Sequence, residues 1–145
     1  GKCVFLTQSN GKLECNKPIP WDERCFLNKT TSLCDSQAID GFRFCYQGDG
    51  NFPMAVFLGS DGLDDTYGDE EGLYNFYIEL YKLILQKGAK EAKKELKKTL
   101  PIISQRGSKD DMSIACVYDD FSKKLILDLK FYDKTDLAPL LAKTG

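Results

Sequence analysis

Between residues 54 and 103 the hydrophobic period changes once, from that of a strand to that of a helix, and an acidic turn marks the change. Residues 54–58 (Met-Ala-Val-Phe-Leu) are a short apolar run of the kind that forms a buried strand. The run stops at Gly59-Ser60, and Asp61-Gly62 opens a turn. Beyond it Leu73, Phe76, Tyr77, Leu80, Leu83 and Ile84 recur at three- and four-residue steps, the mark of an amphipathic helix. Lys87-Gly88 ends that helix with a basic residue and a glycine. Ala89, Ala92, Leu96, Leu100 and Ile103 predict a second helix, which Pro101 shortens or kinks near its end. Two helices joined by a tight glycine turn make an antiparallel hairpin. Lys90, Lys93, Lys94, Lys97 and Lys98 occupy the other face of the second helix, read as solvated, with Glu91 and Glu95 set for i,i+4 pairs.

Strand signals flank this hairpin. Residues 3–7 and 12–15 surround Asn10-Gly11, a strong hairpin signal because both positions tolerate positive φ. Pro18-Ile19-Pro20 breaks the pattern into a loop. Residues 41–46 alternate and read as a half-buried strand, with Asp49-Gly50 as the turn behind it. Residues 112–118 and 124–131 predict two more strands, and 136–142 a short helix. Strands, a helical hairpin and strands again make an α+β protein, with an antiparallel sheet packed against the hairpin. No repeat or linker divides the 145 residues, which suit one domain or part of one.

Composition narrows the chemistry. Net charge is −2, so no global field gathers nucleic acid or an anionic membrane. No apolar run approaches the roughly 18 residues of a membrane span, and residues 1–3 (Gly-Lys-Cys) open no signal peptide pattern. Histidine is absent, which removes the commonest general base and transition-metal ligand. The six cysteines form no C-x-x-C pair, so a structural zinc site is not expected. They are read as buried, reduced thiols of a cytoplasmic protein, in which the sequon at Asn28-Lys29-Thr30 carries no sugar.

The stretch 54–71 holds six acidic residues and no basic one: Asp61, Asp64, Asp65, Asp69, Glu70 and Glu71. Asp69, Glu70 and Glu71 suit the first turn of the following helix, where the dipole favours anions. A carboxylate at the end of a buried strand needs a positive partner, and a hard divalent cation is the simplest. An EF-hand loop starting at Asp61 fails, because Thr66 stands where glycine is needed and Gly72 where glutamate is needed.

A second stretch, Gly107-Ser108-Lys109-Asp110-Asp111-Met112-Ser113, again puts a Gly-Ser turn and an aspartate beside an apolar strand. Together with Ser60-Asp61-Gly62-Leu63-Asp64-Asp65 it resembles two late motifs of the metal-dependent protein phosphatases, the PPM or type 2C serine/threonine phosphatases. The resemblance covers about residues 3–131. It implies part of an αββα sandwich, Mg²⁺ or Mn²⁺ as cofactor and a phosphoprotein as substrate. It also implies that Asp61 and Asp110 share one metal, that Asp65 is a weaker ligand, and that Gly62 and Asp111 serve the turns; Asp64 receives no role. Two cations suit phosphate monoester hydrolysis because they activate a water and neutralise developing charge.

Members of the family carry more in an N-terminal half: an Arg that grips the phosphate, a Glu-Asp pair and an Asp-Gly-x-Gly turn whose aspartate bridges the metals. None of these is found in the present residues. The chain therefore reads as the C-terminal half of such a domain, with no complete catalytic set, weak or absent metal binding and little activity alone. Its missing partner half would leave apolar sheet surface uncovered, with a homodimer as one outcome. The competing reading is a non-catalytic, phosphatase-like interaction or regulatory module. Neither reading involves nucleic acid or a membrane.

Overall fold

A computed structural model describes residues 2–20, 32–46, 50 and 52–119. The expectations for the sequon, for Asp49, for Cys25, for the strand 124–131 and for the helix 136–142 lie outside the described residues.

The Asn10-Gly11 signal closes a two-residue hairpin between β1 (Lys2–Ser9) and β2 (Lys12–Asn16). Both turn residues have positive φ, 50° and 76°, as the right-handed twist of the flanking strands demands. β3 (Ala55–Gly59) runs antiparallel to β1 with Phe5 opposite Val56, and β4 (Ile114–Tyr118) runs antiparallel to β3 with Val56 opposite Val117. The sheet order is β2-β1-β3-β4. Among the described residues three α-helices join the sheet in an α+β architecture: α1 (Asp61–Tyr67), α2 (Glu70–Lys87) and α3 (Ala89–Arg106).

One face of the sheet meets the helices. Val4, Leu6, Ala55 and Phe57 are buried there against Leu73, Phe76, Tyr77, Leu80, Tyr81 and Ile84 of α2. Phe57 stacks on Tyr77 with ring centroids 4.7 Å apart. Each such side chain stabilises the fold by about 1.5–3 kcal/mol through burial. Leu63 and Tyr67 of α1, and Ala92 and Ile103 of α3, close the same core. α2 starts on Asp69, whose carboxylate accepts from the Gly72 amide at 2.6 Å. It ends at Gly88, where φ is +83° and the amide donates to the Ile84 carbonyl at 2.8 Å. Pro101 does not end α3, which runs on to Arg106 as one element. On its outer face the ion pairs are Glu91–Lys94 and Glu95–Lys98 at three-residue steps.

Three expectations need correction. Residues 54–58 are not buried on both sides: β3 alternates, and Leu58 is 53% exposed. Residues 42–46 join no strand. Phe42, Phe44 and Tyr46 lie exposed after a single 3₁₀ turn at Ile39–Gly41, because an alternating pattern makes a strand only where a sheet edge accepts it. Nor are all described cysteines buried: all are free thiols, but Cys34 and Cys45 are exposed.

Over β1, β3 and β4 the second face of the sheet is largely apolar and is not covered by the described helices, whereas β2 brings Lys12, Glu14 and Asn16 to it. Strand alternation and register gather Cys3, Phe5, Val56, Leu58, Ala115 and Val117 on it, with Val117 75% exposed. No described helix is long and apolar enough to cross a membrane.

Candidate functional site

β3 delivers the chain to Ser60, and the expected turn at Asp61-Gly62 is instead the first turn of α1. The reason lies in the local sequence. Ser60 is extended and precedes Asp61 and Asp64, anions suited to a helix start, and the left-handed Gly68 (φ +68°) stops the helix after seven residues. The second acidic turn follows α3. The Gly107 amide donates to the Ile103 carbonyl at 2.9 Å, Lys109 takes the left-handed conformation at φ +63°, and its amide returns to the Ser104 carbonyl at 2.9 Å.

The two turns meet. The Ser60 amide donates to the Ser113 carbonyl at 3.0 Å, and the Ser113 amide donates to the Ser60 hydroxyl at 3.0 Å. That hydroxyl donates to the Asp111 carbonyl at 3.2 Å. Gly62 meets the same second turn. A Cβ on Gly62 would stand 2.5 Å from the Asp111 carbonyl oxygen and 3.2 Å from the Asp110 Cβ. Glycine is therefore required by close approach, and it sits between Asp61 and Asp110. The Gly62 carbonyl accepts from the Thr66 hydroxyl at 2.7 Å and from the Ser108 hydroxyl at 2.8 Å. A methyl on Gly107 would overlap the Thr66 side chain, so a second glycine is demanded at the same seam.

Asp61 and Asp110, which are 49 positions apart, thus flank one residue. Both are exposed. Each carboxylate accepts from the amide that follows it, Asp61 from Gly62 at 3.1 Å and Asp110 from Asp111 at 2.8 Å. Asp65 lies exposed one helical turn beyond Asp61, on the side that i,i+4 spacing gives it. Asp111 supplies its backbone carbonyl to Ser60 and to the Gly62 contact, and so serves the turn. Among the described residues no three His, Cys, Asp or Glu side chains are gathered to hold a metal ion. Two oxygen-donor side chains are too few for a tight Mg²⁺ or Mn²⁺ site, yet they are the right donor chemistry for a weak one.

Asp64, left without a role by the sequence, has the most unusual environment. Its residue is 8% exposed, and neither carboxylate oxygen has a hydrogen-bond partner. Lys2 Nζ stands 4.0 Å away. Burial pushes its pKa up to about 6, while Lys2 pulls it down and Asp65 and Asp61 push it further up. The buried Tyr77 hydroxyl likewise lacks a partner, and a methyl on Gly59 would overlap it. Its pKa is raised, first by burial and then by the Asp64 charge. A cavity of about 310 Å³ opens at the same strand end, lined in part by Lys2, Lys17, Leu58 and Gly59. Both lysines face carboxylates already, Lys2 that of Asp64 and Lys17 that of Glu70.

Sequence reasoning missed Ser60, Thr66 and Ser108, the hydroxyls that stitch the seam. Only the Gly-Ser dipeptides at 59–60 and 107–108 hinted at them. Comparison with family models, with curated proteins and with solved structures finds no match.

Proposed function

We propose that this chain is the C-terminal portion of a metal-dependent serine/threonine protein phosphatase of the PPM type. The observation that carries the proposal is the meeting of the two aspartate turns at Gly62, with Asp110 Cβ 3.2 Å from where a Gly62 Cβ would stand. Asp61 and Asp110 are then the ligands of one Mg²⁺ or Mn²⁺ ion, with Asp65 as a weaker contributor. When bound, divalent cations supply an activated water and neutralise charge on the phosphoryl group. The work of the chain itself is positional: Gly62 allows the approach, and the Ser60 and Asp111 bonds hold the turns in register.

On this reading residues 1–145 are a partial domain, and the phosphate-gripping Arg, the Glu-Asp pair and the bridging aspartate belong to the missing half. The apolar second sheet face, with Leu58 and Val117 exposed, suits a second sheet in an αββα sandwich or a second copy of the chain. The free thiols suit a reducing compartment, and we assign the protein to the cytoplasm.

Isothermal titration of Mn²⁺ into the chain tests the reading. Two carboxylates predict a dissociation constant on the order of millimolar, the weak end of all-oxygen sites. Asp61→Asn and Asp110→Asn should each abolish the binding, and aryl phosphate turnover should be absent. Equal Mn²⁺ affinity in the two variants and the parent chain would remove the proposed role of both aspartates.

A further inference from the structure

The 18 residues of α3 hold five lysines and Arg106 against Glu91 and Glu95, a net charge of +4, which leaves −6 for the rest of the sequence. The fold sorts the side chains of this helix. Ala92, Thr99 and Ile103 are buried, and Leu96 and Leu100 pack against the same core. Lys90, Lys93, Lys94, Lys97 and Lys98 are all exposed. Helical spacing puts the five on one stripe, in three levels about 5.4 Å apart along the axis. Both glutamates are used within the helix, Glu91 on Lys94 at 2.6 Å and Glu95 on Lys98 at 3.7 Å. Among the described residues Lys90, Lys93 and Lys97 have no anionic partner. Lysines four apart on a helix repel, and Lys90–Lys94, Lys93–Lys97 and Lys94–Lys98 all have that spacing. The stripe therefore keeps an unneutralised positive charge that the packing of α3 does not require.

We propose that the exposed lysine stripe of α3 is a docking surface for a carboxylate-rich, acidic segment of another protein. The inference is independent of any cation at Asp61 and Asp110. Charge complementarity carries it, and the chemistry of the helix chooses the occupant. Lysine is a compact point charge without the planar fork by which arginine grips a phosphate at two points, so a row of lysines suits carboxylates spread along a chain. The apolar side of α3 is taken up by the core, so the helix cannot lay that side into a lipid bilayer. α3 holds no aromatic residue on which a nucleotide base could stack. The stripe is one helix wide and about 12 Å long. A broad anionic surface would also meet the acidic remainder of the chain, whereas a single acidic segment lying along α3 meets the lysines. Side chains on one side of an extended segment recur at about 7 Å, close enough to the turn spacing for carboxylates to reach all three levels.

The full chain is titrated into a fluorescent oligoglutamate peptide at low salt, and binding is read by anisotropy. Combining Lys90→Gln, Lys93→Gln and Lys97→Gln removes three charges, breaks neither ion pair and keeps a good helix former at each position. This triple variant should bind about tenfold more weakly than the parent chain, with its helical circular dichroism unchanged. Parent binding should itself weaken about tenfold between roughly 0.01 and 0.3 M salt, as screening shortens the reach of the lysines. Lys93→Gln alone should weaken binding, whereas Lys12→Gln, exposed on β2 and equal in net charge, should not. If the triple variant loses its helical signal, the comparison of Lys93→Gln with Lys12→Gln decides. Parent-like binding by a folded triple variant, equal losses in the two single variants, or no binding by the parent chain at low salt overturns the docking surface. A DNA duplex or phosphatidylserine vesicles held more tightly than the peptide, through the same lysines, overturns the assignment to an acidic protein segment.

Discussion

Residues 61–65 and 69–71 carry three carboxylates each and are separated by three residues, yet the fold treats them oppositely. Asp69, Glu70 and Glu71 stand at the cap and first turn of the 18-residue helix α2. Asp69 caps α2 through the Gly72 amide, and Glu70 pairs with Lys17 and accepts from the Tyr74 hydroxyl at 3.3 Å. The Lys17 bond draws the Glu70 pKa down. Asp61, Asp64 and Asp65 sit on a helix of seven residues, and distant chain meets it at Gly62 and at Asp64. Asp61 precedes the glycine on which the Asp110 turn packs, and Asp64 is buried beside Lys2. The lesson is that a carboxylate is explained by what it meets, and that a run of equal composition can hold one structural cluster and one functional candidate.

The contrast can be broken most severely at the seam. Gly62→Ala should destabilise the fold by about 1–3 kcal/mol, since its methyl meets the Asp111 backbone carbonyl rather than a side chain that could swing away. A urea unfolding midpoint equal to that of the parent would show that the two turns are not in contact.

A smaller effect is expected at Asp64, with a definite sign. Its folded pKa of about 6 lies above the ordinary aspartate value of 3.8, so the folded chain holds the proton more tightly than the unfolded one. This group therefore costs nothing below about pH 4. Its cost grows as pH rises toward 6 and is fully present above that. Asp64→Asn should flatten that slope and raise thermal stability at pH 7. A variant less stable than the parent at pH 7 would mean that the Lys2 attraction outweighs desolvation.

Asp69→Ala should cost about 1 kcal/mol through loss of the α2 cap, and should leave Mn²⁺ binding untouched. Any fall in Mn²⁺ affinity there would erase the distinction between the two clusters. Least of all, Glu91→Ala should change stability by less than about 0.5 kcal/mol, because its pair with Lys94 is exposed.

Much of this fold was legible because it is locally encoded. Asn10-Gly11 specifies the first hairpin, Asp69 and Gly88 bound α2, and the three- and four-residue steps of Leu73 to Ile84 mark its buried face. What the sequence could not show depends on partners far along the chain. Phe42, Phe44 and Tyr46 have the alternation of a strand but pair with none of the described strands. Asp64 looks like any acidic helix residue until Lys2 and Tyr77 are placed around it. The turns that hold Asp61 and Asp110 stood out by their Gly-Ser dipeptides, whereas the Thr66–Ser108 pair carried no pattern of its own, because its hydroxyls meet only once α3 has folded back onto α1.

The most direct measurement is an anomalous difference map from a crystal of this chain soaked in Mn²⁺. The account predicts a peak beside Gly62 with an oxygen of Asp61 and an oxygen of Asp110 in its coordination sphere, both released from the amides that follow them. A map with Mn²⁺ bound elsewhere, and with both carboxylates still folded back on Gly62 and Asp111, would contradict it.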